Sequence, residues 1–131
     1  MPARPSGTAR SPARAREAPQ FRFRPRVRDG ERIAVGPGKI ALLEEIDRTG
    51  SLNAAAKQLD MSYRRAWLLL DELNRSLRRP AVDSAKGGHH GGGSTLTDAG
   101  RELVALYRGI EKKAEAGCRQ EIRRLMSLLA D

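Results

Sequence analysis

At 131 residues the chain has room for one hydrophobic core of ordinary domain size, which leaves no space for a second effector domain. Lys and Arg number 25 against 16 Asp and Glu, and a formal net charge of +9 points to a polyanionic partner, nucleic acid ahead of an acidic membrane surface. The single Cys118 excludes an internal disulfide, no apolar run approaches the ~18 residues of a bilayer span, and the arginine-rich start has no apolar signal core, so a cytoplasmic protein is expected.

Residues 1–20 are Pro, Ala, Arg, Ser and Gly without apolar period, and are expected to form a disordered basic arm. From Met1 to Arg32 nine arginines face only Glu17, Asp29 and Glu31, so most of the net charge precedes the first helix. A mobile basic arm raises nonspecific affinity for DNA; a solvated tail without function fits equally. The alternation from Phe21 to Val27 predicts a half-buried edge strand that tolerates Pro25. Asp29-Gly30 is a hairpin turn signal, and Glu31 to Val35 is the expected return strand, with Ile33 and Val35 on one face.

After Gly36-Pro37-Gly38, Ile40, Leu42, Leu43 and Ile46 mark an amphipathic helix that Gly50 stops. Ser51 caps a short helix whose buried stripe is Leu52, Ala55, Ala56 and Leu59, the small alanines permitting a close crossing. Asp60-Met61-Ser62 makes the turn, and Ser62 caps a longer helix expected to reach about Arg79, ahead of Pro80. On that helix Ala66, Leu70, Leu73 and Leu77 share a face, and Trp67 is expected in the core. Tyr63 packs at the edge with its hydroxyl free to reach a phosphate or base. Arg64 and Arg65 point away from the core in the first turn. Such a pair is usually a solvated face, but a preceding helix and tight turn make it a candidate base-reading pair.

Ala81 to Ser84 and Thr95 to Thr97 are short strands around Lys86-Gly87-Gly88-His89-His90-Gly91-Gly92-Gly93, a glycine-rich wing of about 81–97 whose bare backbone could approach a phosphodiester chain. No Gly-Lys-Ser/Thr follows, so a phosphate-binding P-loop is not expected. Adjacent His89 and His90 lack partners at metal-ligand spacing, so no metal and no cofactor are expected. Nor is there a carboxylate pair or an activated nucleophile, and no enzyme activity is expected. Thr97 caps a final helix over 98–131, carrying Leu103, Leu106, Ile110, Ile122, Leu125 and Leu129. At ~1.5 Å per residue it would run ~45 Å, beyond the width of a small domain, so its far half is expected to pair with a second copy. The alternative is a helix packed on its own domain with a frayed end.

The fold expected is mainly α with small β: a winged helix-turn-helix over 21–97 and a dimerisation helix after it. Together Gly50-Ser51-Leu52, Ala54-Ala55-Ala56-Lys57, Met61-Ser62-Tyr63-Arg64-Arg65-Ala66-Trp67, the polyglycine wing and Leu96-Thr97-Asp98-Ala99-Gly100 resemble the DNA-binding domain of the ModE molybdate-responsive transcriptional regulators, relatives of the LysR type. The resemblance covers about Gly36 to Lys112. It implies that the second helix of the motif enters the major groove, the wing touches the flanking backbone, and the last helix pairs two subunits. ModE proteins continue into molybdate-binding modules, and the chain stops at Asp131, so direct molybdate binding is not expected.

The DNA-binding residues expected are Arg64 and Arg65 on bases, Ser51, Ser62 and Tyr63 on phosphates, and Lys86, His89 and His90 on the wing. The partner is double-stranded DNA with an inverted repeat bound by a homodimer. The competing reading is an interaction protein that hetero-dimerises with another regulator without reading a site.

Overall fold

The computed structural model of the chain describes residues 17–84 and 93–130. They fall into two units, Phe23–Cys118 and a second one whose described parts are 17–22 and 119–130. The basic arm expected over 1–20 lies mostly outside the described residues, as do Lys86, His89 and His90.

In the larger unit, β1 (Val27–Asp29) and β2 (Arg32–Val35) form an antiparallel hairpin. Gly30 turns it at φ 67, a left-handed conformation that favours glycine. The strand expected from Phe21 begins only at Val27. Pro25 has no N–H for a ladder, and its carbonyl instead accepts the Tyr107 hydroxyl at 2.8 Å. The register shifts between Val27 and Arg28, where Val27 faces Val35 and Arg28 faces Ile33. This bulge breaks the expected alternation, so Ala34 and Val35 are both buried while Ile33 is half-buried.

Helix α1 (Pro37–Thr49) starts at a proline, whose missing N–H costs nothing in a first turn, and ends at Gly50 with φ 78. Its Ile40, Leu42, Leu43 and Ile46 are almost wholly buried, each side chain contributing roughly 1.5–3 kcal/mol of apolar burial. Helix α2 (Leu52–Gln58) lays Ala55 and Ala56 against α1, where the absence of bulk allows close approach. Asp60 follows at φ 56. The Met61 amide donates to the Ala56 carbonyl (3.0 Å) and that of Asp60 to the Lys57 carbonyl (3.2 Å), closing α2 with a left-handed cap.

Helix α3 (Tyr63–Ser76) buries Ala66, Leu70 and Leu73 on the α1–α2 pair. It stops three residues before the Arg79 expected, because Asn74 Oδ1 takes the Ala81 amide at 2.7 Å and Leu77 is already extended. Strands β3 (Val82–Ser84) and β4 (Ser94–Leu96) then pair antiparallel. Helix α4 (Asp98–Gly117) packs Tyr107, with half-buried Leu103 and Val104, on the same core. Arg108 of α4 grips Glu44 of α1 through two hydrogen bonds of 2.7 and 2.9 Å. Those bonds, and a third to Glu111, raise its already high pKa.

The single helix expected over 98–131 is two. Cys118 leaves helical geometry at φ −114, ψ 23, after Gly117, the poorest helix former of that stretch apart from proline. Helix α5 (Arg119–Ser127) belongs to the second unit and buries none of its residues there.

Candidate nucleic-acid interface

Helix α3 is fixed on three sides, which decides what it leaves exposed. At its start the Ser62 hydroxyl accepts the Arg65 amide at 3.0 Å, satisfying one of the unpaired N–H groups of the first turn. Its preceding partner is held the same way, Ser51 Oγ accepting the Ala54 amide at 3.0 Å. Its core face is the Ala66, Leu70, Leu73 line.

The third restraint is Lys39, 5% exposed, which the sequence reading passed over. Its ammonium donates to the carbonyls of Ile33 (2.5 Å) and Ala34 (3.4 Å) and pairs with Glu72 at 2.7 Å. One buried cation thus ties β2, α1 and α3 together, and its hydrogen bond holds the Glu72 carboxyl below the usual carboxylate range. Only the bulge that turns two successive carbonyls to one side makes this possible.

With 3.6 residues per turn, the line farthest from the core runs through Arg64, Leu68 and Arg75. Tyr63 and Trp67 flank it on the side of Asn74, whose Oδ1 takes the Ala81 amide ahead of β3, and Arg65 and Glu72 flank it on the side of β2. Trp67 is 47% exposed, against its expected place in the core. The physical reason is angular: Ala66 occupies the centre of the buried stripe, and the next residue is turned about a quarter of the circumference away. Leu68, 48% exposed, is the other apolar group on this surface and was not anticipated. Arg64 and Arg65 are exposed and form no ion pair among the described residues, so both guanidinium groups are free to meet a ligand.

Beside α3 the base of the second hairpin is fastened at three points. The Ser94 amide donates to the Gly50 carbonyl (2.9 Å), the Thr97 amide to Ala81 (2.9 Å) and the Thr97 hydroxyl to Pro80 (2.7 Å). Thr97 Oγ1 also accepts the Gly100 amide at 3.0 Å, capping α4 as expected. Gly100 lies so close to the Ala81 backbone that a Cβ would overlap its carbonyl. This explains in physical terms why a Leu-Thr-x-x-Gly segment opens the last helix.

Residues 38–101 match the family described as bacterial regulatory helix-turn-helix protein, lysR family. The molybdenum transport protein ModE of Azotobacter vinelandii is 46% identical over 78 residues, 60% of this chain and 29% of that protein. The molybdenum-pterin-binding protein MopB of Rhodobacter capsulatus is 45% identical over 84 residues, 64% of this chain and 30% of that protein. The DNA-binding transcriptional dual regulator ModE of Escherichia coli K12 is 36% identical over 77 residues, 59% of this chain and 29% of that protein. Residues 38–101 thus match the LysR-type helix-turn-helix family, and this part of the chain is similar to ModE proteins. The chain spans about 30% of the length of these three relatives.

The family match runs from the first turn of α1 into the start of α4. The β1–β2 hairpin and most of α4 lie outside it. On α4 the face next to the core takes Leu103 and Tyr107, whereas Leu106 and Ile110 are 57% and 54% exposed. On α5 Ile122 is half-buried, and Leu125 and Leu129 are each 49% exposed. Among the described residues no helix is long and apolar enough to cross a membrane.

Proposed function

We propose that the chain is a sequence-specific DNA-binding transcriptional regulator that acts as a homodimer in the cytoplasm and serves molybdenum-related gene control. The observation that carries this is α3: a capped, rigidly held helix with two uncommitted arginines on its outer half, between two hairpins. Arg64 and Arg65 each have the fork needed for guanine O6 and N7 in the major groove. Tyr63, Ser62 and Ser51 sit at helix starts, where amides and helix dipoles favour phosphate. The exposed apolar surface of Trp67 and Leu68 suits a thymine methyl group. Lys86, His89 and His90 complete the wing in this reading.

Dimerisation is supported by the uncovered Leu106 and Ile110 on α4 and by Leu125 and Leu129 on α5. A second copy covering them gives two reading helices and an inverted repeat, with half-sites about one helical turn apart or a multiple of it. The relatives' names supply the link to molybdenum. Selection of bound sequences from a random DNA pool by the purified chain tests the function. An inverted-repeat motif supports it, and failure to enrich any motif favours a modulator that pairs with another regulator. Replacing Leu106 and Ile110 with Glu is expected to yield monomers in sedimentation equilibrium.

A further inference from the structure

The β1–β2 hairpin is outside the family match, yet it lies against the reading helix. Two adjoining depressions share Arg32, Leu69 and Glu72 and make up one surface, lined toward α3 by Arg65, Leu68 and Arg75 and toward the hairpin by Arg24, Arg26 and the first turn of α1. Six cationic side chains line it, Arg24, Arg26, Arg32, Lys39, Arg65 and Arg75, against the acidic Glu31, Asp71 and Glu72. Two of those three acids are already engaged, Glu72 with Lys39 (2.7 Å) and Asp71 with Arg75 (2.9 Å). Arg24 and Arg26 are exposed and make no ion pair among the described residues. Among the described residues Arg32 has only the exposed, solvent-screened ion pair with Asp29 at 3.3 Å. The start of α1 adds the partial positive charge of its amides.

We propose that this surface is a second backbone clamp, which holds the DNA strand on the side of the major groove opposite the wing. A helix with its side chains is ~10–12 Å across and the major groove ~12 Å wide, so both flanks of a seated reading helix meet phosphates. One flank, with Tyr63, Trp67 and Asn74, meets the base of the β3–β4 hairpin where Asn74 Oδ1 takes the Ala81 amide. The Arg65–Glu72 flank adjoins β2, and there the hairpin arginines stand where the other wall of the groove passes. Lys39 makes the clamp rigid by locking the hairpin to α3. The contact carries positioning and affinity but no base preference. It rests on the DNA-reading assignment above.

The test is the salt dependence of binding by the full chain to its selected site, compared with an Arg24→Ala, Arg26→Ala, Arg32→Ala triple variant. Each phosphate contact contributes about 0.9 to the slope of log K against log salt. The triple variant is expected to lower the slope by ~2 to 3 and leave the selected motif unchanged. A matched control, Arg101→Ala, Lys112→Ala, Lys113→Ala, removes the same charge from α4 and should leave the slope intact. Arginine-to-lysine replacement at the three hairpin positions should restore most of it, separating charge from any folding defect. An unchanged slope in the alanine variant, or an equal loss in the control, overturns the clamp while leaving the reading helix standing. If the unmutated chain binds no DNA, the underlying assignment falls as well.

Discussion

Two hairpins flank the same helix and are fastened by different physics. The β1–β2 hairpin is joined to α3 through a buried cation, Lys39, with two backbone carbonyls and a carboxylate around it. The β3–β4 hairpin is joined to the motif by the Ser94 amide on the Gly50 carbonyl and the Ala81 amide on Asn74 Oδ1, while at its base Thr97 bonds Ala81 and the bare Gly100 of α4 packs against the same residue. The first attachment is ionic and therefore sensitive to pH and to the loss of one partner. The second is steric, and depends on the absence of a side chain. The attachment on each side can be loosened separately, which makes the two hairpins' contributions separable.

Gly100→Ala should have the largest effect, because the new Cβ would meet the Ala81 carbonyl, a backbone atom that cannot move alone. A loss of about 2–4 kcal/mol is expected in urea unfolding. Wild-type stability in this variant would show that the second hairpin is not held at this point. Lys39→Met keeps the buried stem but strands the Ile33 and Ala34 carbonyls, and should cost about 1–3 kcal/mol. If the first attachment is ionic as described, this variant should also lose DNA affinity through the hairpin, which a gel-shift titration measures.

Glu72→Gln gives a smaller and pH-dependent change, about 1 kcal/mol, since that side chain is 41% exposed and solvent screens the pair. The carboxyl is held low by the Lys39 hydrogen bond, so its contribution is complete above the unfolded-state pKa of about 4.3 and lost as pH falls through the lower folded value. The stability gap between wild type and variant should therefore be flat from pH 5 to 7 and close in more acid solution. A gap that widened with acid would contradict the sign of the shift. Smallest in stability is Trp67→Ala. At 47% exposure it should lose about 1 kcal/mol or less, against 3–5 for a core tryptophan, while weakening specific DNA binding on the flank that bears Asn74.

The parts legible in the sequence were those fixed locally. Gly50, Ser51, Ser62 and Thr97 do the stopping and capping that their types favour, and the apolar periods of α1 and α3 place their core faces. Lys39 was illegible because a lysine in the first turn of an amphipathic helix looks solvated. Its partners exist only once a bulge aims two carbonyls at it. Trp67 was misplaced because aromatic spacing on a helix suggests packing without saying how wide the buried stripe is. The break at Cys118 was hidden by an apolar pattern that runs through it, with Gly117 the only local hint. Arg24, Arg26 and Arg32 were visible only as charge, since their convergence beside α3 is a property of the folded hairpin.

Competition binding is the direct measure of the proposed base reading by α3. Arg64→Ala and Arg65→Ala chains should bind the selected site ~1–3 kcal/mol more weakly than wild type and bind scrambled DNA nearly as well as wild type does. Undiminished discrimination between the two DNAs in both variants would show that sequence is read elsewhere.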